Sequence, residues 1–434
     1  MFKRKKNYII WSILKLSSNL TFAVILLFTI ALTSLLGTII EQNQSIEYYK
    51  INYPEYYIPL FSWKTILSLG LHKIYSSWWY IFLLVLLGIS LLSCTFLNQL
   101  PLLNLAKIIK FYSNLNRLKN FPLIIEIKNN ILSKYIYHFL QKRYVILQHK
   151  DQLYFYNGLF SKIAPILVHI SIILVLIGAI SGFLMGFTAQ EMIVETENFH
   201  LQNIINSGPL SKIPQNFFLK VNKFWIDYNN DGSISQFFSD VLVYDNFGNK
   251  LCNKIISVNN PLIYKNITFY QTDWNLQAIR LDINNMHLEL PLIEVLRKNN
   301  KIWISQIQLD DRNFYLVIEK LDDIIYLYDQ NKDLISQLKI NKYKRINLNG
   351  NNHTVTLKIK KIIPSTGIQI KYDPGLNIVY LGFFLLMIST IFSYFSFNQI
   401  WLITNNKDSI YLTGQTNRAK ISFKQYLLKF TKKI

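Results

Sequence analysis

Residues 163–187, IAPILVHISIILVLIGAISGFLMGF, decide the fold of this chain. The stretch contains no Asp, Glu, Lys or Arg, and about 20 residues of helix are enough to cross a bilayer. A core helix of a soluble protein is rarely this long without a polar face. The sequence therefore predicts a membrane-spanning helix here.

Three further stretches have the same character, namely residues 20–40, 78–97 and 376–397, and none contains a charged side chain. The first follows the basic segment FKRKK, but it is longer than the apolar region of a signal peptide and no small-x-small cleavage site follows it. We therefore predict a retained anchor. The fold class expected is a membrane α-helical protein with four transmembrane helices.

The net charge of +21 is distributed by loop. Residues 1–19, 98–162 and 398–434 carry net charges of +5, +8 and +6, whereas 41–77 and 188–373 carry 0 and +2. Because basic loops stay on the cytoplasmic side, we predict that both termini and the 98–162 loop lie there. Nucleic-acid binding is the alternative explanation of a basic chain. Here, however, the basic excess is confined to segments on one predicted side of the membrane. The predicted partner is therefore the lipid bilayer and not a nucleic acid.

Residues 188–375 are predicted to form a large β-rich domain on the outer side. Short runs rich in aromatic and β-branched residues alternate there with polar turns, which is typical of sandwiches and barrels. The runs expected as strands are 217–228, 235–245, 250–259, 265–274, 279–285, 301–309, 314–329 and 353–362. The turns expected are 229–232, 245–249, 259–261 and 347–352.

The 98–162 loop is predicted to be a small α/β domain on the cytoplasmic side. Its pattern indicates helices near 101–118 and 130–142 and strands at 121–128 and 144–149. In the basic tail, Phe423, Leu427, Phe430 and Ile434 recur at helical spacing among lysines. This pattern suits either an amphipathic helix on an anionic membrane face or a solvated, frayed terminus.

Thiol and hydrolytic chemistry find no support in the sequence. The two cysteines, Cys94 and Cys252, are predicted to lie on opposite sides of the membrane, and neither belongs to a CxxC pair. Nucleotide-binding, nucleophile-elbow and zinc-protease motifs are absent from the sequence. No catalytic residue is predicted.

His169 is the candidate functional residue, because it is the only histidine within the four apolar stretches. It lies six residues past Ile163, or about 9 Å from that end of the helix at 1.5 Å per residue. A neutral imidazole in a membrane can ligate haem iron or relay a proton. The alternative is a histidine that only hydrogen-bonds a neighbouring helix.

His72, just before the second span, is a weaker candidate for an axial ligand. Trp78, Trp79 and Tyr80, which follow it, are explained as an interfacial aromatic belt. The remaining histidines are predicted to be surface residues; they are His138, His149, His200, His287 and His353.

Five stretches resemble the ResB/CcsB-type cytochrome c biogenesis proteins of the System II pathway. The similarity runs along nearly the whole chain, and the order of three spans, a large outer domain and one span is that of the family. The abundance of Asn, Ile and Lys, together with EQ after GTII, resembles plastid-encoded members. The five stretches are GTIIEQ (37–42), SLGLHKIYSSWWY (68–80), NGLFSKIAPILVHISIILVLIGAISG (157–182), SVNNPLIYKNITFYQTDW (257–274) and YDPGLNIVYLGFF (372–384).

The resemblance implies a membrane subunit that works with a CcsA-type partner to move haem across the membrane and attach it to apocytochromes c. Haem b would be bound transiently and shared with that partner, and this subunit would be non-catalytic or co-catalytic in the haem-lyase complex. His169 matches the family's intramembrane histidine, a haem ligand or relay. Since bis-imidazole ligation needs two histidines, the partner would supply the second.

The resemblance also implies a location. The expected membrane is the plastid thylakoid, with the large domain in the lumen and the basic segments in the stroma, or a bacterial plasma membrane with a periplasmic domain. Asp373, before the fourth span, is interpreted as a helix N-cap rather than a functional acid. A membrane-anchored scaffold or sensor with an outer ligand-binding domain, which does not handle haem, is the alternative function.

Overall fold

The computed structural model divides the chain into two compact units, Met1–Ile180 with Gly375–Ile434, and Ser181–Pro374, here called the large β domain. The residues described are 11–55, 62–109, 111–112, 121, 123–128, 132–150, 152–231, 233–284, 286–297, 300–309, 312–321, 324–347, 354–404 and 409–433. Residues 348–352 of the turn predicted at 347–352, and His353, lie outside them.

Among the described residues, four helices are long and apolar enough to cross a membrane, which confirms the predicted fold class. They are Leu20–Ile39, Trp78–Cys94, Phe160–Met185 and Leu376–Tyr394, the first to fourth membrane helices. The second continues beyond its predicted end, through a π-helical turn at Thr95–Gln99 into a helix at Leu100–Lys107. Shorter helices occur at Ile46–Asn52, Trp63–Ser68, Leu132–Gln141 and Lys420–Lys433, with a 3₁₀ turn at Leu71–Ser76.

All strand pairings among the described residues are antiparallel. The strands are β1 (Ile124–Lys128), β2 (Val145–His149), β3 (Gln152–Asn157), β4 (Phe187–Val194), β5 (Asn198–Phe199), β6 (Ile204–Ser207), β7 (Phe217–Tyr228), β8 (Ile234–Asp245), β9 (Lys250–Ser257), β10 (Leu262–Tyr264), β11 (Ile267–Ile283), β12 (Met286–Pro291), β13 (Ile293–Arg297), β14 (Asn300–Leu309), β15 (Arg312–Ile318), β16 (Ile324–Asp329), β17 (Leu334–Lys339), β18 (Tyr343–Asn347), β19 (Thr354–Tyr372), β20 (Asn398–Thr404) and β21 (Ser409–Thr416).

The third and fourth membrane helices pack closely because glycines remove side chains at their contact. A Cβ atom added to Gly178 would lie 2.6 Å from Cγ2 of Val379, and one added to Gly382 would lie 2.7 Å from Cγ2 of Val175. Small residues at helix contacts let backbones approach within a bilayer. The first and second helices meet instead through larger side chains around Leu26 and Leu87.

Gln42 fixes the connection between the first and second membrane helices. Its amide nitrogen donates to the carbonyls of Ile40, at 2.7 Å, and Leu71, at 3.1 Å. Its amide oxygen accepts from the backbone N–H of Ile74 at 2.9 Å. The end of the GTIIEQ motif is thereby joined to the 3₁₀ turn within the SLGLHKIYSSWWY motif.

A five-stranded sheet, in the order β1-β21-β20-β3-β2, combines the loop after the second helix with the tail after the fourth. With the helices Leu132–Gln141 and Lys420–Lys433 it forms what we call the small sheet domain. The predicted helix at 130–142 and the strands at 121–128 and 144–149 are found there, within a few residues. The helix predicted at 101–118 ends at Lys107, and residues 113–120 lie outside the described part.

The basic tail, predicted as an amphipathic helix on a membrane face or as a solvated or frayed terminus, forms part of the small sheet domain. Its two strands complete the sheet, and Phe423 and Leu427 of its helix pack into the core of the small sheet domain. Leu427 has no exposed surface. The helix therefore packs into this core through Leu427, which contradicts the frayed terminus. The expected contact of its lysines with an anionic membrane face stays a prediction, and the side chains of Phe430 and Ile434 lie outside the described residues.

The described residues of the large β domain form sheets of seven, five and four strands. Its two longest strands, β11 and β19, pair along almost their whole length with three register shifts. One hydrophobic cluster surrounds Phe269 near the start of β11, and a second surrounds Trp303 beside the end of β11. The β-rich prediction is confirmed, although two predicted strands, at 265–274 and 279–285, form the single strand β11, and the run 314–329 forms the hairpin β15–β16.

Antiparallel pairs flank the third and fourth membrane helices. Asn157, before the third helix, is opposite Asn398, after the fourth, in the β3–β20 pair. Phe187, after the third helix, is opposite Tyr372, before the fourth, in the β4–β19 pair. Two membrane helices, the third and the fourth, lie between β3 and β20 in the sequence. The side of the membrane on which each domain lies stays a prediction.

Candidate functional site

His169 is hydrogen-bonded to the second membrane helix through both ring nitrogens. Nδ1 lies 2.9 Å from Oγ1 of Thr95 and 3.3 Å from the carbonyl oxygen of Leu91. Nε2 lies 3.0 Å from the amide nitrogen of Gln99. The ring is partly buried, so a histidine bonded to a neighbouring helix, one of our two expectations, describes this geometry.

The partners of His169 come from the π-helical turn. There the N–H of Leu100 bonds to the carbonyl of Thr95, five residues earlier, rather than four. This extra residue places Thr95 and Gln99 beside the ring, and π-helical turns occur frequently at functional sites. We did not predict the turn. Its signals were the polar residues at the end of the span and Pro101, which lacks a backbone N–H.

The partners also determine which ring nitrogen carries the proton. A carbonyl oxygen can only accept, so the nitrogen facing Leu91 must be the donor. The hydroxyl of Thr95 donates to the same carbonyl at 2.8 Å and is therefore an acceptor toward the ring. In the neutral imidazole Nδ1 thus holds the proton and Nε2 keeps its lone pair, which the Gln99 amide covers.

Other polar side chains lie at the same level of the membrane helices. Ser90 donates to the carbonyl of Ser17 at 2.7 Å, and Asn98 donates to the carbonyl of Ser18 at 3.1 Å. Asn98 also lies 3.8 Å from the sulfur of Cys94. These bonds join the segment before the first helix to the second helix, close to the π turn.

His72 lies in the loop between the first and second membrane helices. Its ring makes an edge-on contact with Tyr49, with centroids 6.2 Å apart. Its Nδ1 is buried and has no hydrogen-bond partner among the described residues. Burial lowers the pKa of His72 below its ordinary value, while a bond to the Ile66 backbone opposes this shift. The neutral ring lines an open cavity of about 870 Å³ with Trp78 and Trp79.

The structure does not bring His72 and His169 together. They lie at opposite ends of the second membrane helix, which runs 17 residues from Trp78 to Cys94 and is followed by the His169 partner Thr95. At 1.5 Å per residue this is roughly 26 Å. One iron atom cannot bind both rings.

Asp373 does not cap the fourth membrane helix, so that interpretation was wrong. The N-cap position is Gly375, and no side chain caps it. The Asp373 carboxylate instead lies over the third membrane helix, where a Cβ atom added to Gly182 would be 2.5 Å from Oδ1. Lys371 is its ion-pair partner at 3.9 Å.

The remaining described histidines are exposed, as predicted, except His138. Its Nε2 bonds to the hydroxyl of Tyr426 at 2.9 Å, and burial lowers its pKa. This contact holds the two helices of the small sheet domain together. Among the described residues, no group of three or more His, Cys, Asp or Glu side chains could hold a metal ion.

Sequence comparison gives a consistent result over the whole length. The ResB-like family matches residues 20–322 and 293–427. The chain is 44% identical to cytochrome c biogenesis protein Ccs1 of Porphyra purpurea, over 99% of this chain and 98% of that protein. It is 42% identical to Ccs1 of Rhodomonas salina, over 96% and 95%, and 41% identical to CcsB of Microcystis aeruginosa, over 95% and 92%. The predicted resemblance is confirmed: this chain belongs to the ResB-like family.

Proposed function

We propose that this chain functions in cytochrome c biogenesis, as a membrane subunit that carries haem across the bilayer and helps attach it to apocytochromes c. The relatives named for this process match nearly the whole chain, including all four membrane helices. Haem is the cargo in this proposal. His169 is the residue that would bind it.

The hydrogen bonding of His169 is the observation that supports this role. Histidines that ligate metals almost always donate their other ring N–H to a carbonyl, a carboxylate or water. In this chain Nδ1 faces the Leu91 carbonyl and the Thr95 hydroxyl. That arrangement fixes the orientation of the ring. It leaves the unprotonated Nε2, with its lone pair, as the ligand atom.

The second ligand would come from another protein. His72 lies at the far end of the second membrane helix, so a CcsA-type membrane protein is the proposed source. His72 itself could take part only at a separate step, beside the aromatic cavity that it lines. The large β domain would face the apocytochrome in the lumen of the thylakoid, since the basic loops assign it to the non-cytoplasmic side.

The test is His169→Ala in the full-length chain, co-purified with its membrane partners. We expect the complex to assemble, its haem absorbance to be lost, and holocytochrome c formation to be restored in part by added imidazole. His149→Ala, on an exposed strand of the small sheet domain, is the control and should behave as wild type. Normal holocytochrome levels in His169→Ala would reject the proposal and favour a scaffold or sensor.

A further inference from the structure

Gln99 covers the nitrogen of His169 that a metal would need. Its amide nitrogen lies 3.0 Å from Nε2, whose lone pair accepts the bond. The other polar atom of the same side chain, Oε1, is buried without a hydrogen-bond partner among the described residues. A buried amide oxygen left unpaired costs free energy. The unpaired Oε1 therefore makes this position of the Gln99 side chain less favourable in free energy. That penalty would be relieved if the side chain turned away from the ring.

The orientation of His169 does not depend on Gln99. The Leu91 carbonyl and the Thr95 hydroxyl both hold Nδ1, on the opposite side of the ring. If Gln99 moves, the proton stays on Nδ1 and the ring keeps its direction. Only the lone pair on Nε2 becomes accessible.

We propose that Gln99 is a removable cap on His169, and that Thr95 is the positioning residue that keeps the ring ready beneath it. The identity of the incoming ligand, haem iron, rests on the proposed function, whereas the capping does not. Binding exchanges one interaction for another. The bond from the Gln99 amide breaks as an iron–nitrogen bond forms, and no proton or electron is transferred.

The π turn gives this cap its mobility. In a regular α-helix the N–H of Leu100 would bond to a carbonyl four residues earlier instead of to that of Thr95. This change of register would rotate Gln99 away from the ring. Turns of this kind are single-turn insertions in otherwise regular helix. The cap and the positioning residue thus belong to one short segment, at the end of the second membrane helix.

The first experiment needs no haem. The full-length chain is made in cells unable to synthesise haem, and its membranes are treated with diethyl pyrocarbonate, which acylates the unprotonated imidazole nitrogen. Mass spectrometry then follows modification at His169. We expect Gln99→Leu to increase the rate at least fivefold. Gln99→Asn, whose shorter amide does not reach Nε2, should act in the same direction.

Asn98→Leu is the matched control, because Asn98 is adjacent and its amide donates to Ser18 rather than to His169. Its modification rate should equal that of wild type. Equal rates in wild type, Gln99→Leu and Gln99→Asn would overturn the cap. So would a rate in Asn98→Leu as high as in Gln99→Leu, since the effect would then reflect general loosening of the helix.

The second experiment adds haem to the purified full-length chain and follows the absorbance change. Gln99→Leu should bind about tenfold faster than wild type, and His169→Ala should show no such binding phase. Faster modification together with no haem binding in any variant would leave the cap intact and reject the haem role of His169. Faster modification with unchanged haem binding would reject the cap as a barrier to haem.

Discussion

Asn157 and Asn398, 241 positions apart in the sequence, lie opposite each other on two neighbouring strands of one sheet. One residue precedes the third membrane helix and the other follows the fourth. The core of the small sheet domain accordingly draws on both segments, with Phe139 and Phe155 from the loop and Leu412 and Leu427 from the tail. The loop and the tail are one folding unit.

Substitution of Leu427 by alanine should therefore destabilise the loop as well as the tail. Leu427 is completely buried, and a core Leu→Ala change costs about 2–5 kcal/mol. We expect faster proteolysis of residues 124–157 in the variant. Leu428→Ala, on the same helix but 36% exposed, should cost under about 1 kcal/mol. Unchanged proteolysis of the loop in Leu427→Ala would contradict the shared core.

The topology prediction concerns the two domains. In sealed vesicles that expose the cytoplasmic or stromal face, added protease should digest the small sheet domain and spare the large β domain, because the basic loops stay on the exposed face. Detergent should abolish the protection. Digestion of the large β domain in intact vesicles, with the small sheet domain protected, would reverse the assignment.

Replacing either cysteine should leave cytochrome c assembly intact. Both cysteines are free thiols, and among the described residues the sulfur of Cys94 has a long polar contact with the Asn98 amide, at 3.8 Å. A free, partly buried cysteine behaves as a small apolar residue. We expect normal holocytochrome in Cys94→Ala and in Cys252→Ala. Loss of holocytochrome in Cys94→Ala, with the protein still in the membrane, would assign a function to that thiol.

Cys252 should also react slowly with alkylating reagents in the folded chain. Burial raises the pKa of its thiol, and the thiolate is the reactive form. The measurement is the rate of iodoacetamide labelling at neutral pH before and after unfolding. Equal rates in the two states would contradict the prediction.

Gly178→Ala should weaken the contact between the third and fourth membrane helices. The added methyl group would meet Val379 at 2.6 Å and the carbonyl oxygen of Gly375 at 2.9 Å, and overpacking typically costs about 1–3 kcal/mol. Gly88→Ala is the matched control, since its nearest neighbour would be 3.9 Å away. The melting temperature in detergent should fall for Gly178→Ala and not for Gly88→Ala. Equal melting temperatures would show that the third and fourth helices accommodate the added methyl group without loss of stability.

The sequence predicted local features well because each is determined by adjacent residues. A membrane helix satisfies its own backbone hydrogen bonds, so an apolar stretch is sufficient to locate it. Strand β7 matches its predicted residues, 217–228, because alternating side chains and flanking turns define it. Strand β11 was divided in two because register shifts at Gln271 and Leu276 interrupt that alternation.

Features that depend on distant residues were not predicted. The pairing of loop and tail joins positions more than 200 residues apart, and neither segment indicates the other. His169 was identified because a histidine is conspicuous among apolar residues. Gln99 was missed because an amide at the end of a span resembles the start of a loop, and only the π turn directs it toward the ring.

The strand order of the small sheet domain delays its completion during synthesis, because strands made late lie between strands made early. Among the described strands, β1 pairs with β21 alone, and one edge of β3 stays unpaired until β20 is made. Asn157 and its partner Asn398 are 241 positions apart, so at about 5–20 residues per second a ribosome needs on the order of tens of seconds to supply the missing strands. Until then the loop has open strand edges, which are sites for mispairing and aggregation. Residues 398–416, which supply β20 and β21, therefore complete the sheet. A chain that ended before them would keep its four membrane helices but leave strand edges of the small sheet domain unpaired.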